Sequence, residues 1–121
     1  MMKIKEQVTS LELSKKLKGL GVKQESFIYW TNNRVKRDYR EYVLESGTPI
    51  ITENCYSAFT VAELGLLLPN YVCTYKDEND WFCNPKFKQF TNFTSGVIAD
   101  TEANARAKCL IYLIETGILK L

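Results

Sequence analysis

Four cysteines, seven tyrosines, sixteen lysines and arginines, fourteen acidic residues and no histidine are the groups from which this 121-residue chain must build any chemistry. Without histidine there is no Ser-His-Asp or Cys-His nucleophile system and no imidazole proton shuttle. The commonest metal ligand is missing too. Cys55, Cys73, Cys83 and Cys109 contain no C-x-x-C pair, whereas structural zinc sites take their ligands in close pairs. These thiols are therefore expected to be small reduced apolar residues, with Cys73 and Cys83 facing each other across a hairpin. Asp77, Glu78 and Asp80 cluster as cation ligands would, but lack the spaced ligands, central glycine and closing glutamate of a calcium loop. A solvated hairpin tip explains them. No Walker loop or dinucleotide-binding glycine pattern is present. The expectation is a non-enzymatic protein with no cofactor and no metal, a small histidine-independent enzyme using Asp, Cys and Tyr being the distant alternative.

Positive charge offers a second chemistry. Up to Ser46 the chain has ten Lys/Arg and six Asp/Glu, and the remainder has six and eight. The excess gathers in Lys15, Lys16, Lys18 and Lys23 and in Arg34, Lys36, Arg37 and Arg40. Interleaved with Trp30, Tyr39 and Tyr42, these eight are the candidate nucleic-acid contacts, cations meeting phosphates while rings stack on bases. A solvated helix face and a charged turn account for the same residues without any ligand. A weaker surface of the same kind combines Trp81, Phe82, Phe87, Phe90 and Phe93 with Lys86 and Lys88. The alternative reading of the basic region is a helix-turn-helix DNA-binding regulator spanning Leu13 to Trp30. Against it, Lys18-Gly19-Leu20 lengthens a turn normally three or four residues long, and Phe27-Ile28-Tyr29-Trp30 lacks a polar recognition face.

Three helices must position these groups. Thr9-Ser10-Leu11-Glu12 fits a capping box, with Val8 and Leu13 as its hydrophobic staple and Gly19 and Gly21 as its stop. Thr60-Val61-Ala62-Glu63 repeats the pattern, with Phe59 and Leu64 as staple and Pro69 as terminator. The spacing of about fifty residues would suit a duplicated helix-plus-hairpin unit, or two unrelated capped helices. Asp100 or Thr101 caps a third helix, with Ala103, Ala107, Leu110, Ile111 and Ile114 as its buried stripe, Gly117 as its stop and Ile118 folding back. Strands are expected at Phe27 to Trp30, Tyr39 to Leu44, Ile50 to Thr52, Tyr71 to Tyr75 and Trp81 to Cys83, with a further one among Phe87, Phe90 and Phe93. Irregular mixing of helices and strands implies an α+β fold, three capped helices on a small, mostly antiparallel sheet of hairpins. One domain over 1–121 is expected from the length. An apolar fraction of 45% and a charged fraction of 25% are those of a globular chain, and the net charge is only +2.

The stretch Ser10-Leu11-Glu12-Leu13-Ser14-Lys15-Lys16-Leu17-Lys18, continued by Gly21 to Phe27 and Trp30, resembles the opening of a group of small phage- and prophage-encoded proteins. The similarity continues at Ser57 to Gly65 and Leu68-Pro69, and closes over Glu102 to Lys108 and Leu110 to Glu115. It implies a bacterial mobile-element origin and a common fold, and carries no activity and no functional residues, because the group is uncharacterised. The start lacks a signal-peptide pattern, and Leu64 to Leu68 is far too short to span a bilayer, so a cytoplasmic protein of the bacterial host cell is expected. Its expected partners are protein or nucleic acid and no membrane. The aromatic content of 12% suits a self-association face, hence a homo-oligomer, as well as a core.

Overall fold

The computed structural model describes residues 3–31, 42–46, 55–69, 72–85 and 97–121. They form an α+β fold of four helices and two antiparallel three-stranded sheets, one sheet more than the sequence suggested. In chain order these are α1 (Ile4–Gln7), α2 (Leu11–Gly19), β1 (Ile28–Thr31), β2 (Val43–Ser46), β3 (Cys55–Ser57), α3 (Val61–Leu67), β4 (Val72–Asp77), β5 (Asp80–Pro85), β6 (Val97–Ala99) and α4 (Glu102–Glu115). The expected strands at Ile50 to Thr52 and around Phe87, Phe90 and Phe93 lie outside the described residues.

The core is organised around α4. Thr101 caps it by accepting from the Asn104 amide at 3.2 Å, and Glu102 places a carboxylate at the positive end of the helix. Ala105, Cys109 and Leu113 are buried along with Ala103, Ala107, Leu110 and Ile111, so the apolar surface is wider than the expected stripe. A helix apolar on several sides must be covered on several sides. Strands β4, β5 and β6 pack on α4, as do α2 and α3. Its alanines let those neighbours approach closely. Gly117 takes φ 77° as the left-handed stop, and its amide bonds to Ile114 O at 3.1 Å. The residue that folds back is Leu119, bonded to Leu113 O at 2.9 Å and packed on the core, whereas Ile118 is exposed.

The two similar helix starts differ in use. At α3 both halves of the capping box form, Glu63 N donating to Thr60 Oγ1 at 3.2 Å and Thr60 N to Glu63 Oε1 at 2.9 Å. Phe59 and Leu64 are both buried in the main cluster, as a staple requires. At α2 the cap is Ser10 rather than Thr9, its Oγ accepting from Leu13 N at 3.3 Å. Thr9 is unavailable because it is fully buried and joins the two starts. Its Oγ1 contacts Ser14 Oγ at 2.6 Å and accepts from Phe59 N at 3.0 Å, while Thr9 N donates to Phe59 O at 2.9 Å. Val8 pairs with Thr60 in an antiparallel bridge and packs with Trp30 and Ala58, so the Val8–Leu13 staple does not form. Helix α2 ends in a Schellman motif: Gly21 (φ 94°) donates to Lys18 O and Val22 to Leu17 O, both at 3.0 Å.

Strand β1 is central in the first sheet (β2-β1-β3), whereas the second is a meander with β5 central (β4-β5-β6). Among the described residues the two helix-plus-strand units therefore have different strand orders, which speaks against a simple duplication. The helix-turn-helix arrangement is not formed. After α2 and its glycine turn the chain enters β1, because Ile28-Tyr29-Trp30-Thr31 is aromatic and β-branched and pairs on both edges. Asp77 and Asp80 close the β4–β5 hairpin as expected, over a tip where Glu78 takes φ 54°. Its register pairs Cys73 with Asn84 and Thr74 with Cys83, so the two cysteines are not cross-strand partners.

Candidate nucleic-acid interface

Helix α2 carries Lys15 and Lys18 three residues apart, on neighbouring positions of one face. Strand β3 packs against that helix. Within Cys55-Tyr56-Ser57 the alternation of the strand buries Cys55 and Ser57 and turns Tyr56 the other way. Lys18 Nζ donates to Cys55 O at 2.9 Å and sits 5.0 Å from the centroid of the Tyr56 ring. Lys15 Nζ lies over two rings, 5.0 Å from Tyr42 and 5.7 Å from Tyr56. The rings are tilted by 45° with centroids 6.0 Å apart, and their bodies pack against the Val8–Trp30–Ala58 cluster. The result is a half-open aromatic pair roofed by two ammonium groups, a cation–π arrangement. Beneath it, burial pushes the Cys55 thiol above its usual range. The Lys18 charge opposes that shift and Glu45 adds to it.

Of the eight predicted contacts, the structure brings Lys15 and Lys18 together. Lys16 instead pairs with Glu115 at 3.5 Å and Lys23 with Glu25 at 3.1 Å, both on the open surface. Arg34, Lys36, Arg37 and Arg40, with Tyr39, lie outside the described residues. Trp30 is not a stacking ring: it is buried, and its Nε1 donates to Thr9 O at 2.8 Å. Tyr56 was missed, although a tyrosine between two small residues of a strand is a readable sign of an outward ring. Of the second aromatic surface, Phe87, Phe90, Phe93, Lys86 and Lys88 are outside the described residues. Trp81 packs on the core with Lys76 Nζ 5.8 Å from its ring centroid.

Two further polar clusters flank α4. Glu102 Oε2 accepts from Thr74 Oγ1 at 2.7 Å and from Arg106 Nη2 at 3.4 Å, and Arg106 Nη2 also reaches Thr74 Oγ1 at 3.3 Å. Gly65 of α3 lets that helix close on the guanidinium, since a Cβ there would meet Arg106 Nη1 at 2.9 Å. A shallow cleft of about 210 Å³ beside this network is lined by Glu6, Gln7, Thr60, Val61, Ala62 and Glu102. The second cluster holds the thiols of Cys83 and Cys109, both fully buried in the core where β5 packs on α4. The Cys109 thiol, with burial, pushes Cys83 far above the usual thiol range, while the Cys83 thiol draws Cys109 below that range against the effect of burial. Among the described residues no three thiol or carboxylate side chains converge as a metal site, and no helix is long and apolar enough to cross a membrane. Comparison with protein-family models, with curated proteins and with solved structures finds no match.

Proposed function

We propose that the chain is a non-enzymatic accessory protein that binds single-stranded nucleic acid across the Lys15–Lys18–Tyr42–Tyr56 face. The observation that carries this reading is the pair of ammonium groups held over two half-open tyrosine rings. A nucleotide presents the complementary pair, an anionic phosphate beside a flat base. Moving Lys15 from ring to phosphate frees a stacking surface, and stacking is worth about 1–3 kcal/mol per base. Stacked bases of a duplex do not offer that face, so single strands are the fitting ligand. Arg34, Lys36, Arg37 and Arg40 fall in the sequence between Thr31 and Tyr42, outside the described residues. The resemblance to phage and prophage proteins belongs to the same proposal, since mobile elements expose single strands as they replicate.

The test is binding of a labelled polypyrimidine strand and of its duplex at several salt concentrations. Lys15→Gln with Lys18→Gln should weaken strand binding and flatten the slope of log affinity against log salt by about 0.7 per lost phosphate contact. Tyr56→Leu, which keeps the packing and removes the ring, should weaken binding without changing the slope. Unchanged binding in both variants would refute the assignment.

A second reading rests on a different surface. Phe27 is 76% exposed and Leu66 88% exposed. Phe27 N donates to Glu63 Oε2 at 3.0 Å, one turn of α3 before Leu66. Two large apolar side chains so placed favour a protein partner. Phe27→Ser with Leu66→Ser would abolish such an interaction and leave nucleic-acid binding intact.

A further inference from the structure

The sheet of β4, β5 and β6 has one covered face and one open face. Alternation along the strands turns Thr74, Cys83 and Ala99 toward α4, where Thr74 meets Glu102 and Arg106 and the other two enter the main cluster. The opposite face carries Tyr75 and Asp77 of β4, Asp80 and Phe82 of β5 and Ile98 of β6. The register sets these residues in two rows: Tyr75, Phe82 and Ile98 side by side, then Asp77 directly opposite Asp80 at the hairpin end. The rings of Tyr75 and Phe82 are stacked, with centroids 5.1 Å apart and planes 7° apart, yet Tyr75 is 47% exposed and Ile98 46%. Two carboxylates directly opposite one another repel, and a cation relieves them. The ion pairs among the described residues include neither Asp77 nor Asp80. Lys76, the one cation in the sequence from 72 to 85, is turned to the other face, its Nζ 5.8 Å from the Trp81 ring centroid.

We propose that this face docks an arginine side chain presented by a basic peptide segment of a protein partner. The flat guanidinium lies on the exposed Tyr75 ring, and its edge N–H groups reach the carboxylates two residues along the strand, roughly 7 Å away. The methylene stem runs along the same row and covers Phe82 and Ile98. A lysine ammonium is more strongly hydrated and has no flat face to stack, so it fits this row less well. Charge complementarity selects the occupant: the hairpin end is acidic in a chain whose net charge is +2. That sets this surface apart from the Lys15–Lys18 face.

The test measures fluorescence anisotropy of labelled hexa-arginine and hexalysine peptides titrated with the full chain. Hexa-arginine should bind, and hexalysine roughly fivefold more weakly. Asp77→Asn with Asp80→Asn, which keeps side chains suited to a hairpin end, should weaken hexa-arginine binding about tenfold. Tyr75→Leu, which keeps an apolar side chain on the strand, should remove the preference for arginine over lysine. Glu12→Gln with Glu25→Gln, an equal change of charge elsewhere, should leave binding unchanged. Circular dichroism verifies the fold of each variant. The proposal is overturned if hexa-arginine does not bind, if both peptides bind the native chain equally, or if Tyr75→Leu keeps the preference. Unchanged binding in the Asp77, Asp80 variant, or an equal loss in the Glu12, Glu25 variant, would also overturn it. So would a dimer in sedimentation that the Asp77, Asp80 variant dissolves, because the occupant would then be a second copy of this chain.

Discussion

At the residue scale, Thr9 shows how one hydroxyl can decide local geometry. A sequence reading assigns it to cap α2. In the fold its Oγ1 meets Ser14 and the Phe59 amide, while its carbonyl accepts from Trp30. Thr9→Val keeps the shape, strands the Phe59 amide in the core and leaves the Ser14 hydroxyl only its 3.4 Å bond to Thr9 O, so it should cost about 2 kcal/mol, read from urea unfolding midpoints. Ser10 at the solvent boundary was free to cap because Thr9 was not. No local pattern distinguishes the two, since the choice depends on a segment fifty residues away. Cys55 supplies a pH-dependent counterpart. Its thiol is raised in the folded state, mainly by burial. The unfolded thiol therefore ionises first as pH rises past its ordinary value of 9.0. Its contribution is intact below that value and is lost as pH climbs toward the folded pKa. Unfolding midpoints from pH 7 to 10 should fall more steeply for the native chain than for Cys55→Ala.

At the scale of elements, the helix signals were the most legible part of the sequence. The Thr60–Glu63 box, the Gly21 and Gly117 stops and the Thr101 cap all depend on residues within one turn, which is why spacing reveals them. Thr60→Ala should destabilise the chain by about 1 kcal/mol in thermal or urea unfolding. Glu63→Ala should cost more than Glu12→Ala, because Glu63 returns the cap's hydrogen bond and also holds the Phe27 amide. What the sequence concealed is tertiary. The division into two sheets, the central place of β1 and the Thr74–Cys83 register follow from long-range pairing. The breadth of the buried surface on α4 was underestimated because Ala105 and Cys109 are too small to mark a face, yet they let neighbouring elements close in. The helix-turn-helix alternative failed at Ile28 to Thr31 for a reason already visible in residue type, the absence of polar side chains for a groove.

At the scale of the whole molecule, the basic residues matter by where they gather, since the net charge of +2 is small. Lys16 and Lys23 are matched by Glu115 and Glu25, and Lys15 and Lys18 are turned onto tyrosine rings. Sequence reasoning found those two lysines and Tyr42, and missed Tyr56, whose partnership with α2 exists only once β3 packs there. One face of α2, with Tyr42 and Tyr56 beneath it, is thus the proposed binding surface. The most direct test compares the native chain with a Lys15→Gln, Lys18→Gln, Tyr56→Leu variant in the salt dependence of binding to a polypyrimidine strand, with circular dichroism to verify folding. A folded variant is expected to lose at least tenfold in affinity, with a flatter salt slope. Equal affinity and equal slope in two equally folded proteins would contradict it.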